Sequence, residues 1–139
     1  MRNIDVYQTK VGKLHGTSYQ KVHQNARRIF STIKGRTKRK PYVRSAYFHG
    51  EKVFFETFWV HVAQKPIPER IRRLKYFEAA LEVVRKSHNH PRSVQNPSKQ
   101  SEILHRFVGL TKEKELFYVQ IKEHKRTGRK QLMSIFPTK

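Results

Sequence analysis

The chain has 139 residues, room for one hydrophobic core rather than two, and it carries 31 Lys and Arg against 10 Asp and Glu, a net +21. A charge of that size concerns partners, not fold: it favours polyanions, nucleic acid first among them. With no cysteine, disulfides and thiolate zinc sites are excluded, and no apolar run approaches the roughly 20 residues that cross a bilayer.

Met1–Lys10 has no apolar stretch of the kind a secretory signal needs, so the expectation is a soluble, cytoplasmic protein without a membrane partner. Met1–Gly16 shows little periodicity and reads as irregular. From Thr17 or Ser18 a helical stripe begins, with Tyr19, Val22, Ala26, Ile29, Phe30 and Ile33 on one face, and Gly35 stands where a terminating glycine would. Five basic residues then fall within positions 34–40: Lys34, Arg36, Lys38, Arg39 and Lys40. With Arg44 they form a candidate phosphate-binding arm, and a solvated linker is the equal alternative. Residues 1–45 hold twelve Lys and Arg against one acid, Asp5, for +11; residues 46–139 hold nineteen against nine, for +10. The predicted division is therefore a basic arm with one helix over residues 1–45 and an α+β domain over residues 46–139.

Arg44–Phe48 and Lys52–Glu56 read as paired strands around a His49-Gly50 turn. In Val53–Val62, the stretch holding the only tryptophan, Phe55, Phe58, Trp59 and Val62 stand at helical spacing. A strand to Glu56 and a helix from Thr57 to about Gln64 follow, with Thr57 as its cap. His61 lies a third of a turn or less off that stripe, at the boundary of core and solvent. Lys65-Pro66-Ile67-Pro68 breaks the helix. Glu69–Ser87 reads as one long helix, striped by Ile71, Leu74, Phe77, Ala80 or Leu81, and Val84. His88-Asn89-His90-Pro91 ends it and Arg92–Gln100 reads as a loop. His88 and His90 lack the further ligands a metal site needs.

Three strands close the chain, Ile103–Leu110, Glu115–Glu123 and Lys130–Phe136. Their short connections predict an antiparallel meander. The fold class is α+β, N-terminal helices packed on a roughly four-stranded antiparallel sheet. In the middle strand Phe117, Val119 and Ile121 form the core face and Tyr118, Gln120 and Lys122 the other. Arg106, either His105 or Leu104, and Ser134 join that polar face.

A face collecting Arg, Lys, Ser, Tyr and Gln beside a half-buried histidine suits phosphodiester chemistry. RNA brings its own nucleophile, the 2′-hydroxyl. The protein must supply a base, an acid and cations against the charge growing on phosphorus. His61 suits the proton work, Arg106 can grip a phosphate through two N–H groups, and Lys122 serves as a point charge. No cofactor or metal enters this scheme. Trp59 could stack on a base, but a tryptophan on an apolar stripe is more ordinarily core.

The runs F-W-V-H-V (58–62), R-R-L-K-Y-F-E-A-A-L (72–81), S-E-I-L-H-R-F-V-G (101–109), F-Y-V-Q-I-K-E (117–123) and S-I-F-P (134–137) resemble the phage- and toxin-associated nucleases of the barnase/EndoU/colicin/RelE-like superfamily. The resemblance covers about Arg44–Pro137 and implies a metal-independent endoribonuclease, in some branches a toxin. It also implies active-site positions at His61, Arg106, Lys122 and Ser134, with His105 and Tyr118 beside them. Where branches carry a second His-Pro after the W-x-H motif, this chain has Lys65-Pro66. RNA is the implied partner, and a basic toxin calls for an acidic inhibitor or antitoxin protein. The rival readings are a non-catalytic RNA- or DNA-binding protein and a structural component of a nucleoprotein particle.

Overall fold

The computed structural model describes residues 5–138. The chain runs β1 (Val6–Gln8), α1 (Tyr19–Gly35), β2 (Tyr42–Arg44), β3 (Lys52–Phe54), α2 (Glu56–Ala63), α3 (Ile67–Leu74), α4 (Phe77–Lys86), β4 (Arg92–Gln95), β5 (Glu102–Leu110), β6 (Leu116–His124) and β7 (Lys130–Pro137). The meander β5-β6-β7 is the frame, antiparallel throughout. One sheet of seven strands is built on it, in the order β1-β5-β6-β7-β3-β2, with β4 also on β5.

The expected four-stranded antiparallel sheet is therefore larger and mixed. The outer edge of β5 is shared end to end by two short strands. β4 is antiparallel to its first half and β1 parallel to its second. On the far side β3 lies parallel to β7, and β2 closes as its hairpin partner. These additions stabilise what would be exposed sheet edges with unpaired backbone groups.

One face of the sheet is covered. Phe107, Phe117, Val119, Ile121, Leu132 and Ile135 point into a core completed by the helices. α4 is buried almost all round, through Phe77, Ala79, Ala80, Leu81, Val83 and Val84. Phe55, Phe58, Phe77 and Phe117 are fully buried. At about 1.5–3 kcal/mol each, these rings supply much of the hydrophobic stabilisation.

The stretch before residue 46 shares this core: Val22, Ala26, Phe30, Ile33 and Val43 belong to the same cluster as Phe77 and Val119. β1 is fastened by the buried Glu82, whose carboxylate accepts hydrogen bonds from the Tyr7 hydroxyl (2.9 Å) and the Lys10 N–H (3.0 Å). The segment read as an arm is thus structural for most of its length; its first four residues lie outside the described part.

Four local expectations change. Ser18 does cap α1, its side chain accepting the Lys21 N–H, but Gly35 is the last helical residue rather than a left-handed terminator. The long helix over 69–87 is two helices. The Lys75 carbonyl accepts the Leu14 N–H (2.8 Å) instead of continuing the helical ladder, and the buried Tyr76 turns its ring onto Phe117. The residue before α2 is Phe55, whose ring has no acceptor to cap the helix; Thr57 lies inside the first turn and its hydroxyl donates to Gln131. The hairpin between β2 and β3 is also longer than expected, with left-handed backbone at His49 and Gly50.

Candidate functional site

Among the described residues no helix lies across the centre of the other sheet face, and its side chains align in rows. Arg106, Gln120 and Ser134 stand directly opposite one another on β5, β6 and β7. The next row runs Leu104, Lys122, Gln131, Phe54, Tyr42 across five strands. On the other side of the first row lie Val108, Tyr118 and Phe136. Every member of these rows is at least partly exposed. The Arg106 guanidinium donates to Gln120 Oε1 from two nitrogens, both at 3.3 Å. It sits 5.5 Å from the Tyr118 ring centre and 5.1 Å from that of Phe136. Lys122 Nζ is 3.5 Å from Glu102. Burial by itself would raise the Glu102 carboxyl, but the Asn96 hydrogen bond and the Lys122 and Lys99 ammonium groups outweigh it and hold the group below its ordinary value.

His61 reaches this face from the margin. β3 pairs with β7 only at Lys130 and Gln131, and α2 flanks β7 beyond that point. The first turn of α2 is tied down by Gln131 Oε1, which accepts the Thr57 N–H (3.0 Å) and hydroxyl (2.6 Å). One turn on, His61 stands on nearly the same side of the helix as Thr57. A β-bulge between β6 and β7 displaces Met133 from the regular ladder, and the His61 ring rests against the Met133 backbone. The imidazole is half-buried. Burial first, then the charges of Lys122, Lys65 and Arg73, push its pKa below the ordinary value, against an opposing hydrogen bond to Met133. The shift favours the neutral imidazole, the form able to accept a proton.

Trp59 points the other way. It packs on Phe30, Phe58 and Phe77, and the Arg27 guanidinium lies 4.0 Å from its ring centre.

Five of the six expected catalytic positions share the open face or its margin: His61, Arg106, Lys122, Ser134 and Tyr118. His105 does not. As the strand neighbour of Arg106 it points to the covered side, buried beneath Phe48. Its Nδ1 is 2.7 Å from Ser93 Oγ and its Nε2 2.8 Å from Glu123. Glu123 lies 3.7 Å from the buried Lys130, which is held by Glu51 at 2.5 Å. Leu104 is the residue that faces outward. His105 belongs to a structural polar network at the end of the core.

Lys34, Arg36, Lys38, Arg39 and Lys40 are all exposed, and Lys40 pairs with Glu56 at the start of α2 (3.2 Å). Arg44 donates to the Gly50 carbonyl (2.9 Å) and lies on the open face beside Tyr42. The basic run thus leads onto the β2 end of that face.

Thr57, Gln131, Arg73, Phe54, Tyr42 and Phe136 went unrecognised as site residues. Alternation marks Phe136 as a face partner of Ser134, but the bulge hides Gln131, and Arg73 arrives only through the packing of α3. Among the described residues no three His, Asp or Glu side chains are grouped to hold a metal ion. His88 and His90 instead line a cleft of about 440 Å³ with Tyr47, Phe48, His49 and Glu51. Comparison with protein-family models, curated proteins and solved structures finds no match to this chain.

Proposed function

We propose that the open sheet face binds RNA and cleaves it without a metal ion, as an endoribonuclease. The reading rests on one observation above all: a half-buried imidazole, His61, held against the Met133 backbone at the margin of a cationic face and within the field of the Lys122 ammonium. Neutral His61 takes the proton of the 2′-hydroxyl. The 2′-oxygen bonds to phosphorus as the P–O5′ bond breaks, leaving a 2′,3′-cyclic phosphate. The departing 5′-oxygen takes its proton from a donor on the same face, the Lys122 ammonium. Arg106 and Lys122 offset the charge that builds on the phosphoryl oxygens. Ser134, directly opposite Gln120, offers a further donor to phosphate. An acidic inhibitor protein covering this face would be the matching means of silencing a toxin.

A second reading is non-catalytic binding of RNA or DNA by the same surface. It is favoured by the placement of His105, which takes one of the two expected imidazoles away from the face. Incubation of RNA with the protein in EDTA separates the two. Cutting by wild type, lost in His61→Ala with binding retained, is the result expected of the nuclease. Binding with no cutting by either protein assigns the surface to binding alone, and cutting that EDTA abolishes overturns the metal-free scheme.

A further inference from the structure

The open face carries two clusters in which aromatic rings and cations are interleaved, one on either side of the His61–Lys122 centre. On β2 and β3, the Tyr42 and Phe54 rings meet edge to face, 6.0 Å between centres. The Arg129 guanidinium lies 3.9 Å from the Phe54 ring centre, and Lys52 Nζ 4.7 Å from that of Tyr42. On β6 and β7, the Tyr118 and Phe136 rings stand 5.3 Å apart, with Arg106 over both and Arg73 5.8 Å from Phe136. All four rings are partly exposed.

The register fixes how the clusters relate. Phe54 lies in the same cross-strand row as Gln131 and Lys122, two strand spacings from Lys122, or about 10 Å. Tyr118 lies four residues from Lys122 along β6, about 13 Å. The catalytic candidates occupy the corner between. Half-exposed rings capped by guanidinium groups are the usual means of holding unpaired bases, because every base has a face to stack and the cations meet the flanking phosphates. A duplex hides its base faces and cannot use such rings.

We infer that the ligand of this face is single-stranded RNA, with bases stacked at Tyr42–Phe54 and at Tyr118–Phe136 and the backbone between them drawn past His61 and Lys122. This rests on the reading of the face as an RNA-cleaving surface and names its substrate class.

The test uses 2′-O-methyl RNA oligonucleotides, which cannot supply the nucleophile and stay intact on the wild-type protein. An abasic nucleotide is placed at each position in turn. Two separated positions should each lose about tenfold in affinity, within the range of base–aromatic stacking. Phe54→Leu should remove the effect at one position and Phe136→Leu at the other. The matching duplex should bind more weakly than the single strand. Small, uniform losses at every position, or equal affinity for duplex, would overturn the stacking platforms while leaving phosphate binding and cleavage standing. Failure to bind any RNA would overturn the platforms together with the functional reading beneath them.

Discussion

The Lys122 ammonium opposes protonation of the His61 imidazole, although one is carried by the middle strand of the sheet and the other by a helix at its margin. Burial acts in the same direction and is the larger cause. The folded-state pKa of His61 therefore lies below its unfolded value of about 6.5. As pH falls through that window the unfolded chain takes up the proton first, so this contribution to stability is present above about pH 6.5 and lost on acidification. His23 is shifted the same way by burial and by Arg27 and Arg70. Followed by NMR, the His61 ring should titrate below 6.5, and Lys122→Met should raise its midpoint. An unmoved midpoint would mean the two groups are not coupled. The acid limb of the RNA cleavage profile should shift upward in the same variant.

The basic run can be tested without disturbing the core. Lys38 and Arg39 are exposed, whereas deletion of the whole arm would remove α1 from the core. Changing both to Gln should reduce the slope of log affinity against log salt by about 1.4 units for single-stranded RNA, near 0.7 for each lost phosphate contact. An unchanged slope would show that these two cations do not touch RNA.

Lys130 is almost fully buried, between Glu51 and Glu123. Removing one partner of an ion pair costs most where the charge left behind is itself buried. Lys130→Met leaves Glu51 and Glu123, whose side chains are 55% and 23% exposed, while Glu123→Leu takes a partner from the 5% exposed Lys130 and from buried His105. Urea unfolding should show Lys130→Met within about 1 kcal/mol of wild type. Glu123→Leu leaves His105 Nε2 without its partner and Lys130 with Glu51 alone, and should cost about 2–4 kcal/mol. Equal losses in the two variants would contradict this account.

Gly109 faces Phe117 across the β5–β6 ladder, and a methyl group at Gly109 would overlap the Phe117 ring. Phe117 is fully buried and also meets Tyr76, so it has little room to yield. Gly109→Ala should destabilise by about 1–3 kcal/mol. Adding Phe117→Leu should recover part of the loss, and a double variant no better than the sum of the two singles would reject the clash.

Much of the placement of the candidate residues was legible along the chain because its signals are local. Apolar spacing around Trp59 placed His61 on a short helix at the rim of the core, and alternation in the closing strands put Tyr118, Gln120 and Lys122 on one face. The charge was a matter of counting. The rest depended on pairings between residues far apart. Nothing near Lys75 signals that Leu14 will take its carbonyl and split the helix. Nothing near Val6 signals that β1 will pair parallel to β5, or near Arg92 that β4 will take the other half of that edge. Adjacent residues in a strand point to opposite faces, so choosing between Leu104 and His105 required the register with β6. The union of His61, Lys122, Arg73 and Gln131 arises from a bulge at Met133 and from helices packed along β7. The order of side chains along the backbone determined the elements and their faces; cross-strand register and edge packing decided which chemistry those faces share, because such contacts exist only after distant segments have been brought together.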